Sequence, residues 1–270
     1  MTESLRPAAV ASLAPTQHAV ARLRHAALTR ETRPYLDRSV RQDRCPNCRL
    51  LLSHCMCALR PPPQLARAGV CLIMAEFEAL KPSNTGWLIA DLLADTSAFA
   101  WARTVLDPAL PELLNDPQWQ PYLVFPGEFA SPDRVRSDLL PEALVAGVAA
   151  SAAGEVGATT RRPLFVLLDG TWAEACKIFR KSPYLDRLPV LSLQPEQLSR
   201  YRLRRHIHAN HFCTAEVAAL CLALAGEAQL AQRLEAYLDV FSTRYLQARQ
   251  SVPADLTDAT HQHWLALCAE

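Results

Sequence analysis

The chain has no Gly-x-Gly-x-x-Gly run, so nothing supports a dinucleotide site of the Rossmann kind. No apolar stretch approaches the roughly 20 residues of a membrane span, and the amino terminus lacks the apolar core of a secretory signal, so a soluble, cytoplasmic protein is expected. Charge of one sign is also missing. With 28 basic and 27 acidic side chains the net charge is +1, which excludes a polyelectrolyte binder and requires any nucleic-acid surface to be local. Lysine is nearly absent, occurring only as Lys81, Lys177 and Lys181. Arginine therefore carries the positive charge throughout. The segment from Glu3 to Glu31, with Arg6, Arg22, Arg24 and Arg30 and no acid between, reflects that composition and does not call for a transit peptide.

Half of the 270 residues are apolar, enough to bury one full α/β core. Apolar runs of strand type stand at 70–74, 122–125, 164–168 and 190–193, and helical patterns at 83–93, within 137–153, and from 169 to about 181. Strands alternating with helices predict a largely parallel sheet flanked by helices. From Thr214 onward the pattern is helical, near 214–225, 228–249 and 258–268. The expected organisation is a loosely attached tail at 1–43, a small cysteine module at 44–60, a main domain at 69–250 and a C-terminal helix at 251–270. Pro61-Pro62-Pro63 supplies a stiff connector after the module.

Cys45, Cys48, Cys55 and Cys57 follow the spacing C-x2-C-x6-C-x-C, in a loop with few apolar residues to fold by burial. Zinc is the expected ligand, because four thiolates close a tetrahedral structural site and binding energy replaces a core. Paired disulfides or idle thiols are the alternatives, as is His54 in place of one Cys. Arg44, Arg49 and Arg60 around the module suit phosphate contact or a solvated surface.

Asp169-Gly170-Thr171-Trp172 follows the apolar run 164–168 and opens a helical segment. A carboxylate is thereby placed at the carboxyl end of a buried strand, where open α/β sheets bind ligands. The same residues also read as a turn with a capping box, Thr171 to Glu174. From Arg200 to His211 the chain carries Arg202, Arg204, Arg205 and further cations without one acid, bracketed by Tyr201 and Phe212. Lys177, Arg180 and Lys181 add to this patch if the segments meet, and such a patch holds RNA phosphates while the aromatics stack an unpaired base.

Taken in order, the cysteine cluster, Glu78 with Lys81-Pro82-Ser83-Asn84-Thr85-Gly86, the Asp169 tetrapeptide, and Tyr201-Arg202-Leu203-Arg204-Arg205 running to Thr214-Ala215-Glu216 resemble the DTW-domain family over about residues 44 to 226. Two departures stand out: Trp87 where the family usually has a basic residue, and Met74-Ala75 in place of His-Pro. The resemblance implies a SPOUT-related, knotted fold and a tRNA-uridine aminocarboxypropyltransferase that uses S-adenosylmethionine. Asp169 is then the first candidate for the general base that deprotonates uridine N3, and Glu78 the second. Asn84, Thr85, Gly86, Gly170 and Thr171 become candidate cofactor contacts through free N–H groups at the two turns, with Trp172 as a wall of the site. Arg202, Arg204, Arg205, Lys177 and Lys181 become candidate tRNA contacts, with no membrane partner. Two other functions fit the same residues: methyl transfer on the same fold, and a non-catalytic zinc-ribbon RNA-binding protein.

Overall fold

The computed structural model describes residues 17–30, 43–139, 161–193 and 212–269. Its centre is a six-stranded sheet in the order β2-β1-β5-β3-β6-β4, built from β1 (Gly69–Met74), β2 (Thr96–Ala100), β3 (Trp119–Val124), β4 (Val135–Arg136), β5 (Arg162–Asp169) and β6 (Val190–Leu191). Every pairing is parallel. A parallel sheet is covered on both faces, which is why its central strands read as continuous apolar runs. Alternation then sorts the side chains. Val70, Leu72, Met74, Phe165 and Leu167 pack on one face, whereas Cys71, Ile73, Leu164 and Val166 pack on the other.

The first face is covered by α2 (Gly86–Leu92), α5 (Thr214–Leu224) and the long α6 (Ala228–Gln250), with α7 (Ala259–Ala269) packed on α6. The second is covered by α3 (Ala109–Asn115) and α4 (Trp172–Lys181). The strands expected at 70–74, 122–125 and 164–168 and the helices after 83, 169, 214, 228 and 258 are all present. β2, α3 and β4 are additional. β2 is an edge strand in which only Phe99 is buried, so it lacks the apolar run that marked its neighbours. The helix expected within 137–153 and the cations Arg202, Arg204 and Arg205 lie outside the described residues, apart from Leu139 and its two predecessors. A knot is a property of the whole path, and the path from 194 to 211 is likewise outside.

Two attachments are tighter than the sequence suggests. The expected loose tail contains α1 (Ala19–Arg30), which docks against α2, β2 and the short helical turn Glu78–Leu80. Val20 is buried there, and Arg24 Nη1 donates to the carbonyl of Leu80 at 2.7 Å. The cysteine module likewise shares the main core: Leu50 and Met56 are buried in it, and Trp264 Nε1 of α7 donates to the Leu59 carbonyl at 3.0 Å. No helix among the described residues is long and apolar enough to cross a membrane.

Candidate active site and metal centre

Within the cysteine module, the Cys45 amide donates to the Leu50 carbonyl and the Arg49 amide to the Cys45 carbonyl, both at 2.8 Å, closing a tight turn. Arg49 sits in the left-handed region at φ 65°, which a side chain tolerates only when its surroundings hold it there. This turn gathers the four Sγ atoms of Cys45, Cys48, Cys55 and Cys57 within 4.8 Å of one another, with Cys45 to Cys57 at 3.5 Å and Cys48 to Cys55 at 3.7 Å. Four sulfurs at about 2.3 Å from a tetrahedral zinc lie about 3.8 Å apart, so a cluster with all four sulfurs within 4.8 Å of one another is of the right size to close on that ion. His54 is not a member of the set. Its Nε2 is 2.8 Å from the Val252 carbonyl and its Nδ1 is 2.8 Å from Ser53 Oγ.

Of the arginines around the cysteines, Arg49 is buried, which corrects its reading as a phosphate contact or solvated charge; Arg44 and Arg60 are half-buried. Arg44 Nη1 donates to the Arg49 carbonyl, and Arg60 Nε stands 3.6 Å from buried Asp91. Arg49 is 1 % exposed; its Nη1 donates to the carbonyls of Lys81 and Asn84, and its guanidinium lies 4.3 Å from the Trp87 ring centroid. Burial pushes its pKa down to about 10, which leaves it charged at neutral pH. The cysteine module is thus riveted to the loop that carries Asn84.

Asp169 ends β5, and alternation after Phe165 and Leu167 turns its carboxylate toward the face of α2 and α5. It is 2 % exposed and accepts two hydrogen bonds: Asn84 Nδ2 donates to Oδ2 at 2.8 Å, and Thr214 Oγ1, from the first turn of α5, donates to Oδ1. Asn84 also donates to Glu78 Oε1 at 3.2 Å, while its own Oδ1 accepts the Trp87 amide and so caps α2. Glu78 is paired with Lys81, whose Nζ lies 3.8 Å from Glu174 as well. Burial, and then the negative charge of Glu78, push the Asp169 pKa up to about 7; the hydrogen bonds from Thr214 and Asn84 and the charge of Lys81 oppose the rise. A carboxyl poised there exchanges protons at neutral pH, as a general acid or base must.

Gly86 makes this packing possible. A Cβ at that position would stand 2.7 Å from Asp169 Oδ2 and 3.1 Å from Leu72 Cδ1. Gly86→Ala is therefore expected to displace the carboxylate and to lower stability by about 1–3 kcal/mol, as overpacking does. Thermal melts of the variant check this, and an unchanged melting temperature would show that the carboxylate yields at no cost.

Beside Asp169 lies a cavity of about 450 Å³, within the range of small-molecule sites. Its walls are mostly apolar, with Phe125, Leu168, Gly170 and Trp172 on one side and Thr214 and Val217 of α5 on the other. Trp172 is 41 % exposed and stacks on Phe125 with centroids 5.4 Å apart and planes 4° from parallel. Its indole thus forms a fixed wall at the opening. Among the described lining residues Glu128 is the one ionisable side chain, and the sequence gives no sign of it because Pro126-Gly127-Glu128 reads only as a turn. Leu193 and Phe212, the described residues on either side of 194–211, also line the cavity.

Gly170 and Trp172 therefore meet the cavity, while Asn84, Thr85 and Gly86 are buried behind Asp169. Thr85 Oγ1 accepts the Ala215 amide at 3.3 Å, tying α2 to α5. Thr171 corrects the picture of a free helix terminus: its amide donates to Glu174 Oε2 at 2.7 Å and its Oγ1 caps the Glu174 amide, a complete capping box. Lys177 and Lys181 are exposed on α4. Thr214 is a candidate site residue that the sequence does not single out; its only signal is its place at the end of the last of the ordered motifs, just before a helix. A family model described as DTW domain matches residues 42–246. No solved structure matches the chain.

Proposed function

Because this chain belongs to the DTW-domain family, whose role is tRNA modification, we propose that it transfers the 3-amino-3-carboxypropyl group of S-adenosylmethionine to N3 of a tRNA uridine and releases methylthioadenosine. The observation that carries the reading is the buried Asp169, its pKa raised to about 7, hydrogen-bonded to a threonine that lines a cavity of cofactor size. The cavity is apolar and aromatic, as suits an adenine ring, and Glu128 is the complement of the cofactor's ammonium group.

Asp169 itself is nearly inaccessible, so the proton reaches it through Thr214. As the uridine nitrogen attacks the cofactor's propyl carbon and the carbon–sulfur bond breaks, N3 gives its proton to Thr214 Oγ1, which passes its own to Asp169 Oδ1. The electron pair of the broken bond stays on sulfur, leaving neutral methylthioadenosine. Buried Asn84 holds the other carboxylate oxygen, and Glu78 keeps the carboxyl basic through its charge. Thr214→Val removes the hydroxyl with little change of shape and is expected to slow transfer by roughly 10²-fold while cofactor affinity changes little. Single-turnover rates and calorimetric cofactor binding separate the two effects.

Methyl transfer would use the same cavity, since the carbon presented to the nucleophile decides the product. Mass spectrometry of tRNA incubated with protein and S-adenosylmethionine tests the proposal. Methylthioadenosine with an aminocarboxypropyl-uridine supports it, S-adenosylhomocysteine with a methylated base replaces it, and no modified nucleoside from any tRNA pool ends it.

A further inference from the structure

A second cavity, of about 530 Å³, lies on the other side of the first turns of α4. Gly170, Trp172 and Ala175 face the first cavity, whereas Glu174 and Lys177 face the second. The two are thus separated by about the 10 Å width of a helix. A wall shared with the site of chemistry is one reason to ask what fills the second cavity.

Its lining combines aromatic faces with cations. Trp101 Nε1 donates to Ser182 Oγ at 2.9 Å, which fixes the plane of the indole, and the Lys177 ammonium lies 5.4 Å from the ring centroid. Phe77 is 41 % exposed at the turn after β1. Arg30, at the end of α1, and Arg103, in the loop after β2, bring two guanidinium groups to the same opening. Two carboxylates are present as well, Glu174 and Glu76. The first is spent on the Thr171 amide and hydroxyl and on Lys81, and the second sits exposed on the turn. Fixed aromatics interleaved with guanidinium and ammonium groups are the chemistry that holds an unpaired nucleotide, the ring stacking the base and the cations meeting its phosphates.

We propose that this cavity is a subsite for a single-stranded RNA nucleotide adjoining the modified uridine; the inference rests on the aminocarboxypropyl-transfer reading and gives that reaction a second point of grip on its acceptor. The cavity is not the place of reaction, because the wall carrying Asp169 and α4 stands between it and the first cavity. Its role is to fix the register of the strand. Leu23, Ala27 and Arg30 of α1 close it, and α1 precedes the residues that the family model matches. The grip on RNA is in this respect a property of the chain's own amino-terminal helix.

The test measures binding of bulk tRNA and of a short uridine-containing single-stranded RNA over a salt series, by anisotropy, for wild type, Arg103→Glu and Lys177→Glu. Arg161→Glu, an exposed arginine at the opposite, amino-terminal end of β5, controls for net charge. Arg103→Glu and Lys177→Glu are expected to weaken RNA binding roughly tenfold and to flatten the log–log salt slope by about 0.7 for each phosphate that is no longer neutralised, beyond any effect of Arg161→Glu. S-adenosylmethionine affinity is expected to match wild type in all three. RNA affinity in Arg103→Glu and Lys177→Glu equal to that of Arg161→Glu overturns the subsite, and if wild type still modifies tRNA the enzymatic reading stands without it. Selective weakening of RNA binding with no modified nucleoside from wild type supports the subsite and sinks the enzymatic reading alone.

Discussion

Asp169→Asn is expected to abolish most of the transfer activity, by at least about 10²-fold, while leaving the fold intact. The amide is nearly isosteric with the carboxyl, and both neighbours can accommodate it. Its oxygen takes the bond from Asn84, and its nitrogen turns toward Thr214, converting that hydroxyl from donor to acceptor. The proton path is thereby reversed at its last step. In wild type, activity should rise with pH as the carboxyl ionises near pH 7 and then level off; the residual activity of the variant should lack that rise.

Stability moves the opposite way. The folded pKa of Asp169 lies above its unfolded value, so below about pH 4 both states hold the proton, and between about pH 4 and 7 only the folded state does. Stability from this group is therefore lost as pH rises through that window. The asparagine variant has no such loss and should melt higher than wild type at pH 8, by an amount worth a few kcal/mol at most, and equally at pH 4. Paired melts at the two pH values check it. A variant that melts lower than wild type at pH 8 would mean that Asp169 is a structural anchor.

Replacing Cys45 or Cys57 by serine is expected to have the largest effect on the fold. Wild-type protein purified without chelator should carry one zinc per chain, and each variant should carry none, because three thiolates hold the ion poorly. The melting temperature should fall by roughly 10 °C or more, since the module is part of the main core and its collapse exposes Leu50 and Met56. Transfer activity should fall too, through Arg49, which fastens the module to the loop bearing Asn84. Elemental analysis, melts and turnover on the same preparations decide this. Absence of metal from the wild type, or serine variants that melt as wild type, would refute the four-thiolate centre.

The legible parts of the molecule are those encoded over short stretches. The run ending at Asp169, the spacing of the four cysteines and the apolar strands 70–74 and 122–125 all carry their signal within about ten residues, and each stands where that signal puts it. What is not legible depends on pairs far apart in the chain. Asn84 and Asp169 are neighbours across a crossover, so a residue that reads as a helix cap, and is one, also holds the carboxylate. Thr214 reaches Asp169 only because α5 packs beside α2. Arg49 of the cysteine module looks like surface charge by composition, and only its burial between Trp87 and the 81–84 loop shows otherwise. Local sequence carries the weak helical spacing of α1 but not the Arg24 bond to Leu80 that docks it.

The strand order has a consequence for how the chain comes into being. β1 and β2 can pair as soon as they are made, but among the described residues β3 bonds only to β5 and β6, and β4 only to β6. During synthesis from the amino terminus, the strand at 119–124 therefore has no described partner until residues 162–169 have left the ribosome, and the strand at 135–136 has none until residues 190–191 follow. For that interval an apolar strand with unpaired edges is exposed, the state in which chains aggregate or recruit chaperones. β5 then enters between two halves and joins them, a pairing of high sequence separation that closes late and slowly. The last residue of this keystone is Asp169, so the nascent chain acquires its reactive carboxyl only in the act of completing its sheet.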